Sequence, residues 1–333
     1  VTGARLAARG RSPASAVLGG VLAVLVTAGL CLGTPPVAPQ HLPAVFADPA
    51  SLEYVVLWEL RLPRVLVGLL GGAAVGVAGL LLQESLRNPL AVPELTGVSA
   101  GAALAVVACV VWTLPVPVAL YPVAGLAGAV AGGAVTLAVA GTARSAQGVL
   151  LVGAAVSTGI QALMLAVLAT ADRLQYDLLF RYLVGSLNGL MWEQAGRALP
   201  WFAVAAPLVL ACVPALNLLR LGDEAAAALG GRVRAARLGV LAVAALLVGS
   251  VAGPCGPVAW VGFVAPLLAR RIRPYGGART WLPWTAALGA AVTVAADLVA
   301  RLAFAPVETP LGAWTALSGV LIGAALLRHR SPS

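Results

Sequence analysis

Asp223 and Glu224 stand directly after Gly222, where carboxylates favour a helix start, and Ala225 and Ala226 open a run of strong helix formers that reaches Leu229. Gly230 and Gly231 close it. Such a helix offers no covalent chemistry; it offers a charged, well-punctuated handle on a polar island, residues 217–237, between two apolar runs. Arg232, Arg234 and Arg237 follow and mark the island as cytoplasmic. Two readings stand: the island takes up mechanical work for a membrane protein, or it is a solvated loop with a chance helical turn.

Residues for covalent or metal chemistry are poorly supplied. Cys31, Cys109, Cys212 and Cys255 sit in or beside apolar runs without metal spacing, and His41 and His329 lie far apart. The sequence therefore predicts no metal site, no disulfide framework and no redox role. No His-Glu-x-x-His motif or Ser-His arrangement is present, so the chain is not expected to be an enzyme. All 21 basic residues are arginine. A phosphate-binding loop ending in Gly-Lys-Ser/Thr cannot exist here, and any ATP that drives the protein must be hydrolysed, with Mg, on a separate chain. No cofactor is expected on this one.

Composition explains where these residues sit. The 333-residue chain is 61% apolar and 10% charged, against roughly 45–50% and about 25% in soluble domains. It reads as an all-α polytopic membrane protein in one domain, 1–333. The net charge of +9 implies no nucleic-acid partner, because the arginines fall in short breaks between apolar runs, where they orient the chain in the bilayer.

Ten spans are expected, at residues 14–32, 62–83, 98–114, 117–140, 148–169, 200–216, 238–252, 258–269, 281–304 and 311–327. The eighth is short against the ~20 residues of a straight span and should be incomplete or tilted. Both termini, 1–13 and 328–333, are expected to be cytoplasmic, because most arginines, including Arg5, Arg9, Arg11 and Arg144, then fall inside. Residues 33–60 and 170–199 are the long outer segments. The second carries Asp172, Arg173, Gln175, Tyr176, Asp177, Arg181, Tyr182 and Trp192, and either meets a ligand or docking protein or lies as an interfacial helix. Between spans two and three, Asn88, Pro89, Pro93, Gly97, Ser99 and Gly101 exclude a continuous helix. Irregular backbone at membrane depth survives only where protein or a water-filled cavity satisfies it, so this segment either borders a pathway or is an ordinary turn. A faint echo, Arg61 and Arg64 before a run ending Val77-Ala78-Gly79 and Arg234 and Arg237 before one ending Val251-Ala252-Gly253, suggests an inverted repeat.

Six stretches in order resemble the ten-span permease family of type II ATP-binding-cassette importers for ferric siderophores, haem and cobalamin. They are Arg61-Leu62-Pro63-Arg64; Gln83 with Arg87-Asn88-Pro89-Leu90-Ala91-x-Pro93 and Gly97-Val98-Ser99-x-Gly101-Ala102; Gly185-Ser186-Leu187 with Trp192; Gly222-x-Glu224-x-Ala226 with Leu229-Gly230; Gly256-Pro257-Val258-Ala259 through Val264-Ala265-Pro266 to Arg270; and Ala296-Asp297 through Arg301. The resemblance implies that Gly222, Asp223, Glu224, Ala225, Ala226, Leu229 and Gly230 form the coupling helix that rests on a cytoplasmic ATPase. It implies that Arg61, Arg64 and, as a third, Arg301 receive acidic residues of an extracytoplasmic binding protein, although Asp297, four residues before Arg301, offers that arginine a helix ion pair instead. It places the Asn88-Pro89 segment and span five beside a pathway shared with a second permease, identical or paralogous, in a bacterial cytoplasmic membrane. Val92, Trp260 and Leu267 depart from the family pattern. The Gly-Pro-Val-Ala form at Gly256 looks more like siderophore permeases than cobalamin ones. An ion-coupled secondary transporter is the rival reading, with Asp297 as its one clear acidic relay.

Overall fold

The computed structural model describes residues 13–140, 146–172 and 184–328. The arginines of the N-terminal tail, Arg144, the charged and aromatic residues at 173–183 and the tail beyond Arg328 lie outside the described residues. Among those described there is no strand, and ten apolar stretches are helical where ten spans were expected.

These helices are α1 (Pro13–Cys31), α2 (Leu62–Ser85), α3 (Val98–Val111), α4 (Tyr121–Ala140), α5 (Ala146–Leu168), the pair α6 (Trp192–Ala211) and α7 (Val213–Arg220), α9 (Val233–Cys255), α10 (Val261–Ile272), α11 (Ala278–Leu302) and α12 (Leu311–Arg328). A short α8, Asp223–Ala228, lies between α7 and α9. Among the described residues six helices are long and apolar enough to cross a membrane, and α6 with α7 makes a seventh, bent by 44°. The bend follows from sequence: Pro207 lies inside α6 and Pro214 in the first turn of α7, so backbone donors are missing on both sides of Cys212. α10 has only 12 residues, as its short apolar run predicts.

Three boundaries differ from expectation. Residues 192–199, assigned to an outer segment, are the first two turns of α6, where Gln194 accepts from the Met191 amide at 3.1 Å and Glu193 pairs with Arg197. Residues 33–60 are not plain loop, since Leu42–Ala47 and Leu52–Val55 are helical and the latter runs through a wider π turn, Val56–Arg61, into α2. The island 217–237 is not one loop either, because Asn217 to Arg220 complete α7 and Arg234 and Arg237 lie in the first turns of α9. The cause is common to residues 192–199, to Leu52–Arg61 and to the island. Hydropathy ends where charge begins, but a helix continues as long as its polar side chains can reach water or partners.

α2 is the hub. It is buried nearly all round, packing against α9, α10 and α11, so it is apolar on every face instead of amphipathic. Lipid supplies no hydrophobic drive between spans, so close backbone approach at small residues does the packing. A methyl group at Gly79 would lie 1.9 Å from the Gly262 carbonyl oxygen of α10. Gly79→Ala must therefore force the two helices apart, at a cost of about 1–3 kcal/mol or more. Thermal melting of the purified chain should show that loss, whereas Gly19→Ala in α1, with open space around it, should be neutral or stabilising by about 0.5–1 kcal/mol.

Candidate functional site

At one end of the bundle, α8 starts at Gly222, whose φ of +100° is open to glycine, and turns out at Gly230, φ +78°. The Gly231 amide donates back to Ala226 at 2.9 Å. Ala226 is buried, and Glu224 and Leu229 face outward, Leu229 with 69% of its surface exposed. Asp223 ties this helix to the bundle: its Oδ1 accepts from Arg237 Nη2 at 2.7 Å and from Arg87 Nη2 at 3.3 Å. Arg237 Nε donates to the Ser85 carbonyl at 3.0 Å, the last turn of α2. The Arg237 hydrogen bond, aided by the charges of Arg237 and Arg87, holds the Asp223 carboxyl below the usual carboxylate range.

One residue back from Ser85, Glu84 joins three more elements. Its carboxylate receives Arg220 Nε of α7 at 3.2 Å and Arg270 Nη2 of α10 at 2.9 Å. Gln83 accepts from Arg270 Nη1 at 2.7 Å and donates to the Gly262 carbonyl at 3.2 Å. Both guanidiniums lie over the Trp281 ring of α11, at 4.5 and 5.5 Å from its centre. The end of α2 is thus a clip holding α7, α8, α9, α10 and α11. Sequence reasoning singles out Asp223 and Glu224 but misses Glu84 as a hub. No local signal marks it, because its partners Arg220 and Arg270 come from distant helices.

At the opposite end of α2, Arg64 lies between Asp297 of α11, 2.8 Å from Nη2, and Glu308 of the turn after α11, 2.9 Å from Nη1. Arg301 Nε is 3.3 Å from Asp297 Oδ2, at ion-pair distance but without hydrogen-bond alignment, and its Nη2 donates to the Gly29 carbonyl. Arg61 donates to the carbonyls of Leu30, Cys31 and Pro35. The last carbonyls of α1, which have no partner within their own helix, are thereby capped by arginines from two other elements. The expected Asp297–Arg301 pair is present, but Arg64 is the nearer partner. The same geometry corrects the picture of three presented arginines: Arg61, Arg64 and Arg301 are only 5–8% exposed and engage groups of their own chain. A guanidinium at this depth is costly without partners.

The segment between α2 and α3 is packed in rather than looped out over most of its length. Asn88 turns it by accepting from the Leu90 amide at 3.0 Å, with Pro89 exposed beside it, while Pro93, Thr96 and Ser99 are buried. The Gly97 amide, at φ +71°, donates to Ser157 Oγ of α5 at 2.9 Å. Gly101 lies against Gly128 of α4 with no room for a side chain. Glu94 Oε1 accepts from the Trp260 amide at the start of α10, and its Oε2 meets no donor among the described residues. These groups do no covalent chemistry together. They offer a polar interruption at membrane depth and, at the Asp223 end, a surface helix wired to the rest of the bundle.

The sequence matches the model of the FecCD transport family over residues 21–329. It is 36% identical over 267 residues to the Fe(3+) dicitrate transport system permease protein FecD of Escherichia coli (strain K12), covering 80% of this chain and 83% of that one. It is 33% identical over 287 residues to the hemin transport system permease protein HmuU of Yersinia pestis, covering 81% and 86%. A solved structure described as a metal-chelate type ABC transporter in an inward-facing conformation aligns with a TM-score of 0.80 at 25% identity, covering 94% of this chain and 98% of that one.

Two outcomes follow from the charge clips. Glu84→Ala leaves the Arg220 and Arg270 guanidiniums without their shared carboxylate and should lower stability by about 1–3 kcal/mol, read as a lower melting temperature of the purified chain. The Asp223 tie should respond to acid. A depressed folded-state pKa means that its contribution is complete above the ordinary aspartate value of about 4 and is lost as the pH falls through the lower folded value. Because Asp223 is half exposed the effect is small, at most about 1 kcal/mol. Hydrogen-exchange protection of residues 221–232, corrected for intrinsic rates, should be flat from neutral pH to about 5 and fall below that range.

Proposed function

Because the chain belongs to the FecCD transport family and is a permease of the type II ATP-binding-cassette importer class, we propose that it carries a ferric siderophore complex across the bacterial cytoplasmic membrane. The observation that carries the cargo is the 36% identity to a ferric dicitrate permease over four fifths of the chain. In this reading α8 rests on a cytoplasmic ATPase that binds ATP and Mg, a second permease subunit completes the pathway, and an extracytoplasmic binding protein delivers the cargo. Both termini and the Asp223 end then face the cytoplasm.

Geometry supports α8 as the place where work enters. Glu224, Leu229 and Leu221 point outward, free to meet a partner, while Ala226 and Asp223 fasten the helix to the ends of α9 and α2. Closure of the ATPase would displace α8, and the rigid spans would pass the shift on as alternating access. In this reading Arg61, Arg64 and Arg301 serve binding-protein docking indirectly: Arg64 holds the outer turn through Glu308, and Arg61 and Arg301 fix the end of α1 through its carbonyls. Asn88, Pro89, Pro93, Gly97, Ser99 and Gly101 border the pathway and act as its gate. The ion-coupled rival loses the relay that the sequence offered it, since Asp297 is committed to Arg64 and Arg301 on its two sides.

The test is uptake of radiolabelled iron in iron-starved cells lacking this chain, complemented with wild type or Glu224→Arg. Iron is supplied on a panel of ferric siderophores that includes citrate, with haem and cobalamin in parallel. Wild type should restore uptake of at least one ferric siderophore, Glu224→Arg should lose at least tenfold (about 1.4 kcal/mol) at normal insertion, and uptake should persist when the proton gradient is dissipated with ATP held. Normal transport by the variant sinks the coupling assignment. Collapse with the gradient alone revives the ion-coupled reading, and uptake of haem or cobalamin only moves the cargo.

A further inference from the structure

A groove of about 490 Å³ runs along the outside of the bundle between the end of α2, α4 and the first half of α9. Its walls are apolar: Leu82, Leu86, Val130, Leu137, Leu238 and Leu241 among them. Val130 and Leu238 are each about half exposed, so the groove opens sideways, toward the bilayer. Its charged residues, Arg87, Arg237 and Asp223, line one end, and Asn88, Thr96 and Thr136 are the other polar residues of its wall. This polar end coincides with the last turn of α2 and the first turns of α9, the level at which the two helices leave the apolar layer.

Two guanidiniums share one carboxylate there, which leaves a net positive charge. Both arginines use a single nitrogen on Asp223 Oδ1, and Arg237 gives its Nε to Ser85. Arg87, half exposed, keeps Nε and Nη1 uncommitted among the described residues. Arg234 adds a further cation: it is exposed, four residues before Leu238 and so on the same stripe of α9. An apolar slot open to lipid with a cationic mouth at the interface matches an amphiphile that is anionic at one end and aliphatic at the other. A free anion has no use for the slot, and a zwitterionic lipid has no use for the excess charge. Basic pockets between spans at the cytoplasmic interface bind anionic headgroups by this physics.

We infer that this groove holds one membrane phospholipid with an anionic headgroup, an acyl chain lying along α4 and α9 and the phosphate on Arg87 and Arg237. The headgroup then shares its arginines with Asp223, the residue that fastens α8. The composition of the surrounding leaflet thereby acts on the helix through which work enters. Site occupancy depends only on the groove and the bilayer; its effect on transport rests on the coupling role proposed for α8.

Native mass spectrometry of the delipidated full-length chain, titrated with phosphatidylglycerol, phosphatidylcholine or inorganic phosphate, tests the site directly. Wild type should retain one phosphatidylglycerol per chain, with phosphatidylcholine bound on the order of tenfold more weakly and phosphate not competing. Arg87→Gln, at an exposed position that should not impair folding, should weaken phosphatidylglycerol about fivefold and leave phosphatidylcholine unchanged. Ala242→Phe, at an exposed groove residue, should remove both lipids. Equal retention of the two lipids by wild type, or unaltered binding in either variant, overturns the assignment. Displacement of phosphatidylglycerol by inorganic phosphate makes the mouth a free-anion site, and a groove that takes up no lipid because a second copy of the chain covers it makes it an interface; either result also overturns it. Because this readout involves no transport, it stands or falls separately from the coupling role of α8.

Discussion

A helix buried on every side can hold charge only where it leaves the apolar layer, and α2 does so at both ends. From Arg64 to Glu84 it rises about 30 Å, close to the thickness of the hydrocarbon core. From Val65 to Leu82 it is apolar and rich in glycine and alanine, and its neighbours come close enough that Gly79 tolerates no side chain. At the termini the situation reverses. Each terminal charge must find partners on other helices, because burying it alone is prohibitive, and those partners bring α1 and α11 to one end and α7, α9, α10 and α11 to the other.

The consequence for function is mechanical. A rod whose flanks are backbone-close and whose ends are pinned by several ion pairs does not bend under load; it moves with its neighbours or not at all. Asp223, Arg237 and the Ser85 carbonyl connect α8 to the end of that rod through hydrogen bonds of 2.7 and 3.0 Å. α8 itself has too few residues to be a stable helix alone. Its shape comes from the buried Ala226, the turns at Gly222 and Gly230, and the Asp223 ties. Its position is therefore set by the rest of the bundle, while its outer face, with Glu224 and Leu229, is exposed.

The segment after α2 shows the opposite solution to the same constraint. Instead of continuing as a helix it breaks at Asn88 and re-enters as α3, and the broken backbone is satisfied by neighbours such as Ser157 of α5. A break in that place puts carbonyls, a glycine with positive φ and the Glu94 carboxylate next to the start of α10, itself a short helix. The break after α2 and the start of the short α10 are joined there by the hydrogen bond from the Trp260 amide to Glu94.

Much of this architecture is legible in the amino-acid sequence. Ten apolar stretches, the shortness of α10, the break at Asn88 and Pro93 and the small helix bounded by Gly222 and Gly230 all follow from hydropathy, proline and glycine, which act within a few residues of themselves. The all-α membrane class follows from the 61% apolar content, and the six ordered motifs point to the transport family. The partners of charges are not legible in this way. Arg64 with Glu308, Glu84 with Arg220 and Arg270, and Arg87 with Asp223 pair across more than a hundred residues, and the arginines of the Arg64 end, which the motifs suggest are presented, are buried. The helix starts at Trp192 and Val233 also escape the sequence pattern, because hydropathy stops at the first charge whereas a helix does not. The chain by itself determines which segments must be in the bilayer, since that is a local transfer free energy. Only the folded bundle decides which charges meet, since that depends on which helix ends the packing brings together.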